Sequence, residues 1–299
     1  VLSSNDGCIV ARSQEIKDLG IPMGVPYFKV KNELSKAHAV LFSSNFTLYR
    51  DISMRIMQTL AAEVGPCEIY SIDEAFFFVP DDCTQEEILA LRALIMKKVG
   101  LPVSIGVAET KTLAKLASSM AKKGNGVCIL EIDVKTQIQE LPCTSVWGLG
   151  RQTSAKLREM GVVAIGEFLK LDRSVIQKHF GVAGERIQLE LNGTVVHTLG
   201  ANSADVNLSI MSSRSFSTTT RKLSDVESAV AYNVSAVAQK LREKSLLASR
   251  MHLSILASRH GDFLLRKGSA EITFVLPTNQ TKQLLHEVLA HVRLLFDPE

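Results

Sequence analysis

Two adjacent carboxylates lie between two apolar runs in the segment Ser71-Ile72-Asp73-Glu74-Ala75. The runs predict two short strands, with Asp73 and Glu74 at their junction. Mg²⁺ prefers oxygen ligands and is held by one or two carboxylates together with substrate phosphates. Two such ions about 3.5–4 Å apart can stabilise both the attacking and the leaving oxygen of a phosphoryl transfer. The segment therefore predicts a two-metal Mg²⁺ site, and a solvated turn is the alternative because turns favour Asp.

Two lysines, Lys111 and Lys17, are candidates for binding phosphates. Lys111 and Lys115 are four residues apart on a predicted helix that follows a strand over 103–107, so both lie on one helix face. Thr110 is the predicted N-cap of this helix. Lys111 is placed to meet a triphosphate beside the acidic turn, and Lys17 is a second candidate. Solvated lysines are the alternative interpretation of both.

A glycine turn precedes a predicted helix that ends near Gly161. Gly148 and Gly150 let the backbone approach a ligand closely. Amide groups at a helix start can hold a phosphate. The pattern resembles the hairpin of a helix-hairpin-helix module, and we include Lys156 of the following helix in the same predicted DNA interface. A purely structural turn is the alternative, as it is for the second glycine turn at 181–184.

The hydroxyl-rich run 212–220 predicts a strand with an arginine near each end. Arg214, Ser215, Thr218 and Arg221 carry guanidinium and hydroxyl groups, which contact phosphates without reading bases. We therefore predict a second DNA-binding surface here. A plain polar edge strand is the alternative.

The charge of the 299-residue chain is unevenly distributed although its net value is only +3. Residues 45–120 carry 7 Lys/Arg and 10 Asp/Glu, whereas residues 206–299 carry 12 and 8. An acidic site beside a basic region suits a metal and a polyanion. The five cysteines include no C-x₂-C pair, which favours thiols in a reducing cytoplasm over disulfides or zinc. No apolar run reaches 18 residues, so we expect neither a transmembrane helix nor a membrane partner.

The hydrophobic periodicity divides the chain into parts of different type. Helices and strands alternate up to about residue 130, which predicts an α+β or α/β core. The next part, to residue 195, is predicted to be all-helical. The last hundred residues predict strands near 251–257, 262–266 and 271–276 with two helices around them. A length of 299 residues fits such a multidomain chain.

Several motifs together resemble one family. Ser71–Ala75 is similar to the S-I-D-E-A motif of Y-family, translesion DNA polymerases, and 106–117 is similar to that family's G-[IV]-x-x-x-K-x-x-A-K-[IL]-A segment. The turn and helix at 147–160 match its thumb hairpin. The segments 4–13 and 42–45 resemble the UmuC-like branch of the family. The resemblance spans essentially the whole chain, in order.

The resemblance implies a right-hand polymerase fold, α+β and multidomain, with four parts. Residues 1–44 would be fingers, 45–120 palm and 121–195 the helical thumb with its helix-hairpin-helix. A linker at 196–205 would lead to a little-finger domain at 206–299. In the family a further metal-binding aspartate and an aromatic residue that excludes ribonucleotides precede the position of Val1. A last little-finger strand and a clamp-binding tail follow that of Glu299. We therefore expect residues 1–299 alone to be a fragment with little activity.

The resemblance also implies residue roles. Asp73 matches the carboxylate that bridges two Mg²⁺ ions, and Glu74 matches the ligand nearer the primer 3′-OH. Lys17 and Lys111 would hold the nucleotide triphosphate.

Little side-chain volume near Gly7 and Cys8 would leave the nucleotide and template pocket open to damaged bases. The implied activity is error-prone translesion synthesis in the SOS response. Its substrates are primer–template DNA and deoxynucleoside triphosphates. A UmuD-type subunit, RecA and the sliding clamp are implied partners, in the bacterial cytoplasm at the nucleoid. The alternatives are a non-catalytic polymerase homologue that acts as a scaffold and a helix-hairpin-helix DNA-binding module.

Overall fold

The structure is a computed structural model that describes residues 2–3, 7–130, 133–200, 209–216, 218, 220–256 and 267–296. The chain divides into two compact units: a central unit of residues 45–204, and a terminal unit formed by residues 1–44 with 205–299. The four-part division into fingers, palm, thumb and little finger stays a prediction. No helix in the described residues is long and apolar enough to cross a membrane.

The amino-terminal segment is built from short elements. Its strands are β1 (Leu2–Ser3), β2 (Ile9–Ala11) and β3 (Phe42–Ser43), and its helices are α1 (Gln14–Asp18) and α2 (Tyr27–Lys36). β1 pairs antiparallel with β2 and parallel with β3. The buried core of the segment consists of Ile9, Ile16, Ile21, Val30 and Leu34.

The central unit begins with a long helix and a hairpin. Helix α3 (Phe46–Val64) starts where the Asn45 side chain accepts the amide of Leu48. The antiparallel strands β4 (Cys67–Ile69) and β5 (Ala75–Phe77) follow, and helix α4 (Gln85–Val99) covers them. The pair of strands predicted around the two carboxylates is thereby confirmed.

A parallel β–α–β unit carries the lysine helix. β6 (Ile105–Val107) pairs with β7 (Val127–Ile129), and α5 (Lys111–Ala121) connects them. Thr110 caps α5 as predicted, because its hydroxyl accepts the amide of Leu113. Gly106 permits a close approach of strand and helix, since a Cβ there would lie 2.1 Å from the Ser118 nitrogen.

The remainder of the central unit is helical in its described residues, as predicted. It contains α6 (Val134–Ile138), a 3₁₀ turn at Cys143–Ser145, α7 (Arg151–Glu159), α8 (Ile165–Leu169) and α9 (Arg173–Leu191). Gly181 has φ +65° and ψ −165°, which are not helical values, so the predicted glycine turn separates two helices within Arg173–Leu191. Leu113 and Leu116 of α5 share one buried core with Leu157, Phe168 and Leu191. This packing fixes α5 against helices α7, α8 and α9.

The carboxy-terminal segment contains α10 (Leu223–Glu243), β8 (Ala248–Leu256), β9 (Lys267–Thr278) and α11 (Thr281–Leu295). β8 and β9 pair antiparallel, and both helices share a core with them. Two of the three predicted strands are confirmed, and the one near 262–266 lies outside the described residues.

The strand predicted for 212–220 is wrong in the residues that are described there, 212–216, 218 and 220. Two of its hydroxyl groups bond to side chains of α10 instead. Ser212 donates to the Asn233 oxygen and Thr220 donates to Asp225, each at 2.6 Å. Short polar side chains often compete with strand pairing in this way.

Candidate active site

The hairpin between β4 and β5 presents the two predicted carboxylates. The amides of Tyr70 and Ser71 both donate to the Glu74 carbonyl, at 3.0 and 3.1 Å, and so close a tight turn around Asp73. The Ser71 hydroxyl donates to Asp73 Oδ1 at 2.6 Å. Asp73 is exposed, and the Glu74 side chain is 41% exposed. The carboxylates are therefore adjacent on a rigid turn and accessible from outside.

Lys115 is a member of this site that the sequence did not assign to it. Its ammonium Nζ lies 2.8 Å from Glu74 Oε2, and its side chain is 19% exposed. The same ammonium lies 4.7 Å from the centre of the Tyr70 ring and 4.9 Å from that of Trp147. The signal in the sequence was its spacing of four residues from Lys111, which puts both lysines on one helix face.

Two aromatic rings lie against that lysine, and a third ring packs on one of them. Trp147 makes an edge contact with Tyr70, with ring centres 5.2 Å apart, and its indole N–H donates to the Tyr70 hydroxyl at 3.3 Å. Phe76 of β5 lies 6.1 Å from Trp147. The cluster joins the acidic hairpin to the turn that begins at Gly148.

Lys111 lies on the same helix face, but in a buried ion pair. Its Nζ is 2.7 Å from each carboxylate oxygen of Glu68 and 3.1 Å from the Thr198 carbonyl. The Gly200 amide donates to the same carboxylate at 2.7 Å. Burial would raise the pKa of Glu68, but the hydrogen bonds from Lys111 and Gly200 outweigh it and lower that pKa. The phosphate-binding role of Lys111 stays a prediction, and in this arrangement its ammonium is already engaged.

A second buried carboxylate, that of Glu190 on α9, binds the start of α5. Glu190 is 0% exposed and accepts the amide and hydroxyl of Thr112 through Oε2, at 2.9 and 2.5 Å. Its Oε1 accepts the amides of Val196 and His197, at 3.3 and 2.8 Å. No pattern in the sequence indicates that Glu190 binds these backbone amides, because it is one of several glutamates in a helical segment. The two carboxylates attach the segment 194–200 to the start of α5.

The other predicted nucleotide-binding residues belong to the terminal unit. Gly7 has φ +73° and accepts the Tyr27 amide at 2.7 Å, and Cys8 forms an isolated bridge with Pro26. Lys17 is exposed in the last turn of α1. Their roles stay predictions.

The glycine turn before α7 packs closely against α9. Gly148 has φ +91° and lies against Ile187, while Gly150 is the N-cap residue of α7. Lys156 donates to the His179 carbonyl at 3.1 Å, and its ammonium lies 5.6 Å from the Phe180 ring. An open groove of about 560 Å³ lies between α7 and α9 and is lined by residues that include Gly148 and Lys156.

The second predicted DNA-binding surface lies in the terminal unit. Arg214, Ser215, Thr218 and Arg221 are all exposed. The Arg214 guanidinium lies 5.4 Å from the centre of the Tyr232 ring on α10. The four residues precede α10 and are not in a strand, so their predicted role no longer depends on an edge strand.

The hairpin fits a hard divalent cation held partly by substrate. No group of three or more His, Cys, Asp or Glu side chains that would hold a metal occurs within the described residues. Asp73 and Glu74 supply two carboxylates, which is the protein share that Mg²⁺ takes when phosphates complete its shell. Cys67, Cys83, Cys128 and Cys143 are free cysteines.

Comparison with known proteins gives two matches to one family. The model of the impB/mucB/samB family matches residues 1–119, and the model of the C-terminal domain of that family matches residues 207–298. Protein UmuC from Salmonella typhimurium is 36% identical over 300 residues, which cover 96% of this chain and 70% of UmuC. Protein MucB from Escherichia coli is 36% identical over 253 residues, covering 82% of this chain and 60% of MucB. The chain thus spans part of the length of both relatives.

DNA polymerase IV from Bacillus velezensis is 26% identical over 290 residues, covering 95% of this chain and 68% of that protein. A Y-family DNA polymerase chimera built on Dbh aligns with a TM-score of 0.74 and 20% identity, covering 97% of this chain and 83% of the chimera. A ternary complex of Dbh aligns with a TM-score of 0.60 and 20% identity, over 99% of this chain and 86% of that one. At these identities the structures establish the right-hand polymerase fold alone. The family matches and the identity to UmuC show that the chain belongs to the impB/mucB/samB family of UmuC-like, Y-family DNA polymerases, the DNA-directed enzymes of error-prone translesion synthesis.

Proposed function

We propose that the protein containing this chain extends a DNA primer opposite damaged template bases, with Asp73 and Glu74 as its metal-holding carboxylates. The observation that carries the proposal is the β4–β5 turn, which places both accessible carboxylates side by side. Bound Mg²⁺ would lower the pKa of the primer 3′-hydroxyl and neutralise charge on the reacting phosphates.

The residues around the turn orient these carboxylates. The Ser71 hydroxyl fixes Asp73 through Oδ1, and the closed hairpin fixes the backbone of Glu74. Lys17 and Lys111 are proposed to bind the triphosphate, with Gly7 and Cys8 beside the templating base. Lys111 would then have to exchange its bonds to Glu68 and Thr198 for phosphate oxygens.

The DNA interface is proposed to contact phosphates at two places. Gly148, Gly150 and Lys156 form the first, where amides at the start of α7 meet the backbone of the duplex. The exposed residues before α10 form the second; they are Arg214, Ser215, Thr218 and Arg221. Contacts of this kind position DNA without specifying its sequence, which suits an enzyme that must accept many damaged templates.

The remaining assignments rest on the family. We propose residues 1–44 as fingers, 45–120 as palm, 121–195 as thumb and 206–299 as little finger. A UmuD-type subunit, RecA and the sliding clamp are the proposed partners, in a bacterial cytoplasm at the nucleoid.

Primer extension tests the carboxylates. In the protein at its full natural length, Asp73→Ala and Glu74→Ala should each abolish extension in Mg²⁺ with four nucleotides, while primer–template affinity changes less than about threefold because phosphate contacts dominate it. Asp81→Ala, an exposed acid beyond the hairpin, is the matched control and should extend normally. Near wild-type extension by either site variant would refute the assignment. A wild-type protein that binds primer–template without extending it would favour a scaffold.

A further inference from the structure

We propose that Lys115 is a positioning residue for Glu74: it holds one carboxylate oxygen so that the other faces the cation, and Tyr70 and Trp147 hold the lysine. This inference rests on the proposed function, because it needs Glu74 to be a ligand. Its consequence is that the geometry of the metal site depends on a side chain that touches neither metal nor substrate.

The position of Lys115 is set by its helix. Helix α5 begins at the Thr110 cap and packs against β6 at Gly106, where the strand and helix backbones are in direct contact. Leu113 and Leu116 of the same helix are buried in the core of the unit. The backbone of Lys115 therefore has little freedom, and its side chain reaches Glu74 from a rigid base.

The ammonium is held from two further sides. It lies within 5 Å of the centres of both the Tyr70 and the Trp147 ring, and each ring attracts a cation through its face. The two rings are themselves joined by an edge contact and the indole hydrogen bond. A lysine with these neighbours samples fewer rotamers than a solvated one, so it can fix the carboxylate that it binds.

The ion pair with Lys115 uses one of the two carboxylate oxygens of Glu74. Lys115 takes Oε2 at 2.8 Å, and a carboxylate has a second oxygen, Oε1, with lone pairs of its own. Glu74 can therefore coordinate a cation through Oε1 while Lys115 sets its rotamer through Oε2. A lysine that merely neutralised Glu74 would instead weaken cation binding through repulsion.

The two roles predict different effects of removing the charge on the extension rate. Loss of a positioning residue leaves cation affinity unchanged or tighter but slows extension, because misplacement by about 1 Å costs up to about 100-fold in rate. Loss of a mere neutraliser tightens cation binding and leaves the rate unchanged. Trp147 adds a direct link to the DNA-binding turn, since it immediately precedes Gly148.

The test uses three variants of the protein at its full natural length. Lys115→Met removes the charge and keeps the stem, Lys115→Arg keeps the charge and the ring contacts, and Lys123→Met is the exposed control on the residue that follows the helix end. Single-turnover extension gives the maximal rate and the nucleotide dependence. Thermal melts establish that each variant is folded.

Cation binding is measured separately from activity, in the 299-residue chain. Tb³⁺ is a hard, oxygen-seeking ion, and the single tryptophan, Trp147, beside the site can sensitise its luminescence. Displacement of Tb³⁺ by Mg²⁺ then reports cation affinity, and Glu74→Gln identifies the signal that belongs to this site.

We expect Lys115→Met to lose at least about tenfold in maximal rate with Mg²⁺ competition at least as strong as in the wild type. Lys115→Arg should recover most of the rate, and Lys123→Met should match the wild type. A folded Lys115→Met variant with wild-type rate would overturn the inference, as would a failed rescue by arginine. If Glu74→Ala retains extension, the proposed function itself has failed, which is a different result.

Discussion

The Nζ atom of Lys111 lies 2.7 Å from both carboxylate oxygens of Glu68, and each side chain is only 7% exposed. The pair is completed by the Thr198 carbonyl and the Gly200 amide. Taking two charges out of water is costly, so such a pair stabilises little overall, but removing one partner leaves the other charge buried and unpaired.

Lys111→Met should therefore lower the free energy of unfolding by about 3–5 kcal/mol. The double variant Lys111→Met/Glu68→Gln should lose less than the sum of the two single variants, because no uncompensated charge remains. The exposed pair Lys98–Glu63, with 47% and 37% exposure, is the matched control, and its substitution should cost less than about 1 kcal/mol. Urea denaturation measures all of these; additive losses at the buried pair would contradict the coupling.

The pKa of Glu68 predicts the pH dependence of stability. Its folded pKa is lower than the ordinary value of 4.5. Its contribution is therefore fully present above the unfolded pKa and is lost as the pH falls through the lower folded pKa. Glu68→Gln should make the acid loss of stability shallower below about pH 4.5. Urea midpoints across this range measure the effect, and an unaltered acid slope would contradict it.

Gly106→Ala should disrupt the β6–α5 contact. The added Cβ would lie 2.1 Å from the Ser118 nitrogen and 2.4 Å from the Ala114 carbonyl oxygen, and these are backbone atoms of a packed helix. We expect a loss of at least about 3 kcal/mol, the upper range for overpacking a core. Gly124→Ala is the control, because its Cβ would meet only one atom, at 3.9 Å. Equal melting temperatures for the two variants would show that the strand and helix can separate without cost.

The two glycines of the turn before α7 should differ in their tolerance of alanine. Gly148 has φ +91° and a Cβ there would lie 2.7 Å from Ile187 Cδ1, so Gly148→Ala should cost about 1–3 kcal/mol. Gly150 has φ −66° with open space around its Cβ position, so Gly150→Ala should change stability by less than about 1 kcal/mol. Chemical denaturation of both variants measures the difference, and the reverse order would refute this geometry.

The arginines before α10 should contribute to DNA affinity through phosphates. Replacing both Arg214 and Arg221 by Ala should weaken binding similarly on two unrelated primer–templates. It should also make the salt dependence shallower by about 0.9 log–log units per lost contact. Anisotropy across a salt series measures this, with the distant exposed Arg250→Ala on β8 as control. A loss confined to one sequence, or an unchanged slope, would remove these residues from the interface.

Local patterns predicted much of the central unit. The apolar runs on either side of Asp73 and Glu74 predicted β4 and β5, and Thr110 predicted the start of α5, because periodicity and capping are properties of neighbouring residues. The two carboxylates were placed correctly on a turn between strands for the same reason. The strand prediction for 212–220 was wrong because Ser212 and Thr220 bond to side chains of α10. No local sequence pattern indicates these long-range bonds.

The partners of the site residues could not be predicted from the sequence. Lys115 and Glu74 are 41 residues apart, and Glu190 meets Thr112 across 78 residues. Such pairs depend on how α5 packs against the β4–β5 hairpin and against α9, whereas the sequence shows only ordinary charged positions. Which residues carry the chemistry stays a prediction from the sequence, and the tertiary packing determines what holds them.

The anchoring of segment 194–200 has a practical consequence for exchanging domains between relatives. Glu190 binds the amides of Val196 and His197, and Glu68 binds that of Gly200. A chimera joined before residue 194 would set these carboxylates and Lys111 against a foreign backbone. A junction placed after Gly200 would keep every one of these bonds native. The choice of splice point thus decides whether the two buried glutamates keep their native partners.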